Sequence, residues 1–381
     1  MIELLIFMDE VTYKRNINEA ILSITSKIYS IEHECRTNFP YYREENKLKW
    51  FYTESCNWSG GHWASMLLMT DSKHDDNKVH VTLDNIFHKI KLRMYDSDIF
   101  TGFIFYYSYA RRFEIYGRYN DLEIALEVAD NLVSMYNKNI GLIPLGNECK
   151  VLGTDIHGNN LAAVDGSIIA NILLYWAYDK TKKKKYLDTA LNNLNNTIRI
   201  FMREDYSVTH MIEFVPYSGT IIRKWNNLGY SSDSTWSRGQ AWFLLALAYG
   251  YRHTHNPEYQ RIYLQALNFY LKNNNNSSMV PFYDLDAPMA TLPPLDTSAL
   301  AILAESYIIM LFNQGTQDEE LLREIFYSFT PYIDSSMQNY ILNHGCFDKP
   351  RNVATNADLI YSDYYLLSFL LHLKNYLSKG K

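Results

Sequence analysis

The sequence lacks the signatures of several large classes of protein. It has no glycine-rich phosphate loop, and no histidine or cysteine spacing typical of a metal site, so we expect neither a nucleotide nor a metal cofactor. Its cysteines are few and widely spaced, with no CxxC pair, which excludes a zinc knuckle and argues against a disulfide framework. They are Cys35, Cys56, Cys149 and Cys346.

The sequence shows neither a long apolar run nor the pattern of a cleavable leader. No apolar segment reaches the length that crosses a bilayer, and the N-terminal stretch MIELLIFMDEVTYKRN carries acidic residues where a signal peptide carries basic ones. We therefore predict a soluble, cytoplasmic protein without a membrane partner. The net charge is −6, and lysine clusters only in KTKKKKY at 180–186, which argues against nucleic acid as a partner. No pattern indicates an oligomeric state.

Apolar and aromatic residues are plentiful. The chain is 47% hydrophobic and 20% charged with ten prolines, a composition typical of a globular protein. Aromatic residues make up 15%, including 32 tyrosines and seven tryptophans. Amphipathic rings are suited to lining a site for sugars, although many of the tyrosines can serve in the core instead.

A helical repeat organises the chain. Each unit has an apolar helix rich in alanine and aromatic residues, a short polar turn, and a more amphipathic helix, and the units recur roughly every 55 to 75 residues. Space for two further units exists at 16–95 and at 357–378, the latter closing back on the N-terminal region. The four clearest units are 104–136, 170–201, 241–271 and 298–329.

Six such hairpins predict an all-α protein, an (α/α)6 barrel, forming a single domain over residues 1–381. The first helix of each unit is apolar nearly all round, so we expect it inside, with the second helix outside. Long connections at 137–160, 202–234 and 273–297 each lead into a first helix. We expect a functional site where these connections gather.

The sequence at the starts of these helices resembles one family. The segments are AAVDGSIIANILLYWAYDKT, VTHMIEFVPYSG, GYSSDSTWSRGQAW, LDTSALAI and IYSDYYLLSFLL. In order and spacing they are similar to the motifs of the unsaturated glucuronyl hydrolases, glycoside hydrolase family 88, over about residues 50 to 375. WxRGQAW is the most specific of them.

The resemblance implies an (α/α)6 barrel independently of the repeat, and it also implies a reaction. The substrate would be a small oligosaccharide whose non-reducing end is a 4,5-unsaturated uronic acid. A carboxylic acid protonates C4, water adds at C5, and the resulting hemiketal opens to release the remaining sugar. This chemistry needs no cofactor.

Two aspartates are the catalytic candidates implied by the resemblance. Asp165, at the start of an apolar helix, matches the general acid and base, and burial or a neighbouring carboxylate should raise its pKa. The second carboxylate is assigned to Asp98, although alignment on Gly102 without a gap places Phe100 there. Helix capping is the structural alternative for both aspartates.

Five further residues are candidates for substrate binding. His210 matches a substrate-contacting histidine, and Arg238 offers a fork of donors, with an ion pair to Asp233 or Glu213 as the alternative. Gln240 is assigned to structure. Three indoles are candidates for stacking on a sugar, with a place in the core as the alternative: Trp58, Trp63 and Trp242.

Two other functions stay open at the level of sequence. The related unsaturated rhamnogalacturonyl hydrolases perform similar chemistry with a single aspartate, but they more often have Arg-Gly-Asn-Gly-Trp where this chain has RGQAW. A non-catalytic carbohydrate-binding barrel is the second alternative. Leu228, Phe347 and Asp348 depart from the family pattern, and from this we expect a preferred disaccharide other than the common glycosaminoglycan ones.

Overall fold

The computed structural model describes residues 9–45, 47, 49–71, 77–151, 153–314, 318–333 and 340–379. The first eight residues of the acidic N-terminal stretch therefore lie outside the described residues. The helices are α1 (Glu10–Cys35), α2 (Gly60–Asp71), α3 (Asn77–Lys91), α4 (Thr101–Phe105), α5 (Arg111–Tyr116), α6 (Tyr119–Met135), α7 (Gly166–Thr181), α8 (Lys184–Phe201), α9 (Ser237–Thr254), α10 (Pro257–Asn273), α11 (Thr297–Gln314), α12 (Glu319–Phe329) and α13 (Ile360–Lys379). The strands are β1 (Phe39–Glu44), β2 (Phe51–Thr53), β3 (Leu161–Ala163), β4 (Met211–Val215), β5 (Thr220–Trp225) and β6 (Ala357–Leu359).

The chain divides into two compact units. The central unit consists of Thr37–Phe39 and Thr53–Thr235, and the terminal unit consists of Met1–Arg36, Pro40–Tyr52 and Trp236–Lys381. Among the described residues, no helix is long and apolar enough to cross a membrane.

Each unit is built from helical hairpins. In the central unit α2 packs on α3, the run from α4 to α5 packs on α6, and α7 packs on α8. In the terminal unit α9 packs on α10, α11 on α12, and α13 on α1. The four hairpins expected from the repeat are therefore present, and the segment from 357 closes back on the N-terminal helix as predicted. The segment 16–95 holds more than the single hairpin expected there. It contains the pair α2 and α3, two strands, and most of α1, which packs on α13.

The two helices of a hairpin differ in burial as the sequence predicted. Every residue of α7 from Gly166 to Ala177 is buried, as is every residue of α9 from Ser237 to Gly250 and of α11 from Thr297 to Leu311. In the second helices buried residues recur about every fourth position, as in α8 at Tyr186, Ala190 and Leu194. The first helices thus form the core, and the few polar residues inside them, such as Asn171 and Glu305, have hydrogen-bond partners.

Two small antiparallel sheets were not predicted. One has the strand order β2-β1-β6, with Tyr42 opposite Leu359, and the other has the order β3-β4-β5, with Ala163 opposite Met211. Strands β4 and β5 lie in the connection 202–234, which the sequence analysis took as a loop, and β3 directly follows the connection 137–160. In β4 the buried Ile212 and Phe214 alternate with the half-exposed Glu213 and Val215, the period-2 burial of a strand. The fold is therefore helical hairpins with short strands in their connections.

A pair of buried carboxyl groups lies in the terminal unit. Asp358 in β6 and Asp363 in the first turn of α13 are both wholly buried. Burial raises the pKa of Asp358 to about 6, and burial followed by the charge of Asp358 raises the pKa of Asp363 well above its usual value. Lys27 on α1 and the backbone N–H of Ile341, 2.6 Å from Asp358 Oδ2, oppose this only in part. The pair therefore retains a proton where exposed aspartates have lost theirs.

This pair should make the protein less stable as the pH rises. Because the folded-state pKa of Asp358 is raised, its stabilisation is complete below the pKa of an unfolded aspartate and is lost as the pH passes through about 6. We expect the free energy of unfolding to fall by on the order of 2–3 kcal/mol between about pH 4 and about pH 8 from this source. Asp358→Asn should flatten that dependence, measured by urea unfolding across the range, because the titrating group is gone. The exposed Glu320→Gln should keep the wild-type slope, and an equal slope in Asp358→Asn would contradict the assignment.

Candidate active site

Asp165 lies at the junction of β3 and α7 in the central unit. Its carbonyl oxygen accepts hydrogen bonds from the N–H groups of Ile168 and Ile169, at 3.1 and 3.0 Å, so the backbone of Asp165 begins the helix. Within the described residues, its side chain accepts no capping hydrogen bond from α7. The capping alternative therefore does not account for this carboxylate.

His210 is brought beside Asp165 by strand pairing. The ladder between β3 and β4 continues one residue further, where the N–H of Val164 donates to the carbonyl oxygen of His210 at 2.9 Å. The imidazole is buried, and its Nδ1 accepts a hydrogen bond from the N–H of Asn227 at 3.3 Å. Because Nδ1 accepts, a neutral ring carries its proton on Nε2. The sheet thus places a histidine donor next to the residue that precedes Asp165.

Asp98 is buried and held by two partners. Its Oδ1 accepts from the N–H of Phe100 at 2.9 Å, which is the capping role offered as the alternative. Its Oδ2 accepts from Arg93 at 2.5 Å, and Arg93 also donates to Asp96 at 2.7 Å. Burial raises the pKa of Asp98, while the charge of Arg93 opposes this. Asp98 is therefore an ion-paired carboxylate in a fixed position at the start of α4.

Cys149 is affected by the charges of both catalytic candidates. Burial is the largest cause that raises the pKa of its thiol, and the negative charges of Asp98 and Asp165 raise it further. Both carboxylates are therefore within electrostatic range of one half-buried sulfur in the central unit. The connection that carries Cys149 is tied to the Asp98 segment, because the N–H of Glu148 donates to the carbonyl oxygen of Ser97 at 3.0 Å. Sequence analysis identified this connection as part of a site but missed the cysteine.

The two tryptophans near α2 have different surroundings. Trp58 is partly exposed, and its ring contacts Phe100 and His62 at centroid distances of 5.4 and 5.9 Å. Trp63 has no exposed surface, so its indole presents no face to a ligand in this structure. Trp63 is therefore a core residue, which was the alternative to a sugar contact. Trp58 and the half-exposed Phe100 form an aromatic surface.

Arg238 lies in the first turn of α9, in the terminal unit, and is buried. One terminal nitrogen donates to Asp296 Oδ2 at 2.7 Å and to the carbonyl oxygen of Cys346 at 2.6 Å. The other donates to the carbonyl oxygen of Phe347 at 2.7 Å. The ion pair that the sequence offered as an alternative exists, but its partner is Asp296 and not Asp233 or Glu213. Arg238 therefore fixes the segment that contains Cys346 and Phe347.

The other residues of the WxRGQAW motif are also buried. Trp236 lies under the guanidinium of Arg238, 4.6 Å from the ring centre to Cζ, and Trp242 meets Tyr365 edge to face at 5.3 Å. Gln240 has the structural role assigned to it, because its Nε2 donates to the carbonyl oxygen of Ala266 at 3.2 Å. That partner belongs to α10. A substrate contact by Trp242 stays a prediction.

The chain is similar to known proteins in both sequence and structure. No protein-family model matches the chain. The sequence is 25% identical over 385 residues to the unsaturated chondroitin disaccharide hydrolase of Streptococcus agalactiae serotype III (strain NEM316), covering 94% of each protein. The crystal structure of the unsaturated glucuronyl hydrolase of Bacillus sp. GL1 aligns with a TM-score of 0.83 at 20% identity, over 97% of this chain and 100% of that one.

A complex of a related enzyme is also similar. It is a variant unsaturated glucuronyl hydrolase of Streptococcus agalactiae complexed with dGlcA-GalNAc6S, with a TM-score of 0.77 at 21% identity, over 95% of this chain and 92% of that one. The predicted all-α class and (α/α)6-barrel fold are therefore confirmed, and the chain is a glycoside hydrolase. Its resemblance to the unsaturated glucuronyl hydrolases is confirmed in both sequence and fold.

Removing the partner of Arg238 should be costly. Asp296→Ala leaves a buried guanidinium without its counter-charge, so we expect the free energy of unfolding to drop by about 3–5 kcal/mol. The exposed pair of Glu258 and Arg261 provides a matched control, because Glu258→Ala should lose at most about 1 kcal/mol. Urea unfolding of both variants measures the difference. Similar losses in the two would mean that the buried pair does not anchor this segment.

Proposed function

We propose that this enzyme hydrates the C4=C5 enol ether of an unsaturated uronic acid at the non-reducing end of a small oligosaccharide. The observation that carries the proposal is the association of Asp165, Asp98 and His210 within the central unit. Strand pairing joins His210 to Val164, the residue before Asp165, and Ile99, after Asp98, packs against Gly166, after Asp165. We also propose that the enzyme belongs to glycoside hydrolase family 88, whose sequence motifs it resembles.

The proposed mechanism uses Asp165 twice. Its carboxylic acid donates a proton to C4, and the electron pair of the C4=C5 bond forms the new C4–H bond. Water then adds at C5, and its proton passes to the Asp165 carboxylate. The product is a hemiketal, which opens by breaking the bond from C5 to the ring oxygen, so that C5 becomes a ketone and C1 a hemiacetal. The hemiacetal then breaks the bond from C1 to the glycosidic oxygen, C1 becomes an aldehyde, and the hydroxyl proton at C1 passes to the departing saccharide.

The surroundings of Asp165 suit this double role. A second negative charge nearby favours the protonated form of a carboxyl group, so an ionised Asp98 helps Asp165 to act first as an acid. Asp98, held by Arg93 and by the N–H of Phe100, is proposed to keep that charge in place. His210, with its ring proton on Nε2, is proposed to donate to a substrate oxygen.

Trp58 is the proposed aromatic contact with substrate. With Phe100 against it, Trp58 is a better candidate for stacking on a sugar than Trp63, which is wholly buried. Substrate contacts by Trp242 and Arg238 stay predictions, and Arg238 holds the loop of Cys346 and Phe347 within its own unit. Asp348 in that loop is wholly buried and paired with Arg351 at 2.9 Å.

The preferred disaccharide is proposed to differ from the common glycosaminoglycan ones. Phe347 and Leu228 stand where the resembling family has polar residues, and the Phe347 ring packs against Tyr41 at 5.3 Å. Apolar groups at these positions favour a less polar saccharide. We also propose one catalytic domain over residues 1–381, since the similarity to the Bacillus enzyme covers both units. The cytoplasmic location stays a prediction.

Replacing the proposed general acid tests the reaction directly. Asp165→Asn keeps the shape of the side chain but cannot donate a carboxylic proton, so we expect kcat to fall by roughly 100- to 10,000-fold. The measurement is the loss of the ultraviolet absorbance of the enol ether in unsaturated disaccharides made by polysaccharide lyases. Substrates from chondroitin, hyaluronan, heparin, gellan, xanthan and pectin cover the candidate linkages.

The matched control is Asp188→Asn, an exposed aspartate on α8 of the same unit. It should retain wild-type activity and melting temperature. Binding of a disaccharide without any loss of absorbance in the wild type would favour a carbohydrate-binding barrel. Full activity in Asp165→Asn would remove Asp165 from the reaction.

A further inference from the structure

Arg93 stands in the turn that follows α3, and no sequence motif identified it. Its three donor nitrogens have three different partners. They are Asp96 Oδ2 at 2.7 Å, Asp98 Oδ2 at 2.5 Å and the carbonyl oxygen of Cys56 at 3.2 Å. The carbonyl oxygen comes from the segment before α2, so the guanidinium bridges that segment and the entrance to α4. A planar fork of donors held at three points has little freedom to rotate.

This guanidinium controls the charge of Asp98. Burial disfavours the ionised form of Asp98, and Asp96 disfavours it further, whereas Arg93 and the N–H of Phe100 favour it. The other titratable neighbours include the thiols of Cys56 and Cys149, which feel the charge of Asp98 from two other elements. Both thiols have a raised pKa because they are buried, so they are neutral at physiological pH and add no charge. Arg93 is therefore the cation that compensates Asp98.

The segments that carry Asp98 and Asp165 pack together. The side chain of Ile99, the residue after Asp98, lies against Gly166, the residue after Asp165. The N–H of Ile99 donates to the carbonyl oxygen of Leu145 at 2.9 Å, and the N–H of Leu145 donates to that of Leu161, in the strand that leads to Asp165, at 2.9 Å. A negative charge on Asp98 near Asp165 would favour the protonated acid that the proposed reaction needs.

We propose that Arg93 is a positioning residue, which fixes Asp98 beside Asp165 and acts on the reaction only through that carboxylate. The inference rests on the proposed function of Asp165. Arg93 itself is not proposed to contact the substrate. It also explains how Asp98 occupies a useful position although the ungapped alignment places Phe100 there.

The pH profile of kcat/KM tests this role. In Arg93→Gln, Asp98 stays protonated to higher pH, so the acidic limb of the profile should move up. Loss of the positive charge of Arg93 makes neither carboxyl group lose its proton more readily, so the alkaline limb should not move to lower pH. At the optimum we expect a loss of about 10- to 100-fold, the usual effect of removing a hydrogen bond to a charged group.

Two further variants separate this role from simple destabilisation. Arg93→Lys keeps the positive charge and one donor, so it should restore much of the width of the profile. In the Asp98→Asn background, Arg93→Gln should change kcat/KM by less than about twofold, because the carboxylate through which it acts is gone. Arg199→Gln, an exposed arginine on α8, is the control and should leave the profile unchanged. Thermal melts followed by circular dichroism confirm that each variant is folded.

The possible failures are distinguishable. If the wild type consumes no unsaturated disaccharide, the proposed function fails. If the wild type is active and folded Arg93→Gln keeps the wild-type profile, the inference about Arg93 fails alone. An equal loss from Arg93→Gln in the wild-type and Asp98→Asn backgrounds also overturns it, because Arg93 would then act by another route.

Discussion

Complete burial of the first helix of each hairpin is the constraint on which the structure depends. A helix surrounded by apolar side chains, such as α7 or α11, can carry a charged group within its length only where that group has a partner, as Glu305 has in Ser368 and His372. The residues proposed for the chemistry lie instead at or near the entrances of such helices, where Asp165, Asp98 and Arg238 are found. Short strands in the connections then determine which entrance residues meet, as β3 and β4 do for Asp165 and His210.

Four of the buried carboxylates are compensated in two ways. Asp98 and Asp296 each have an arginine, at 2.5 and 2.7 Å, and their surrounding N–H groups complete the pairing. Asp358 and Asp363 have each other and share protons instead. The first arrangement preserves a negative charge in the interior, and the second removes one. An enzyme that needs a fixed charge beside a protonated acid is served by the first arrangement.

Periodicity predicted the helices well because each hairpin is held by residues close in sequence. The pattern in 170–201 and 241–271 is local, and the structure has α7 to α10 there. The strands β4 and β5 were missed because their alternating pattern is short and stood within a connection taken as a loop. The partners of Arg238 and Asp98 were missed for another reason. Asp296 and Arg93 lie on other segments, and only the folded backbone brings each to its partner. Cys149 carried no motif at all.

The pairing of the first and last parts of the chain has a consequence for synthesis. Helix α1 packs on α13, and β1 pairs with β6, so these N-terminal elements acquire their partners only after almost the whole polypeptide has left the ribosome. The hairpins of the central unit connect neighbouring stretches and can form as they emerge. The apolar face of this amphipathic helix must therefore stay exposed until a distant partner is made, which makes it a candidate for chaperone binding in the nascent protein.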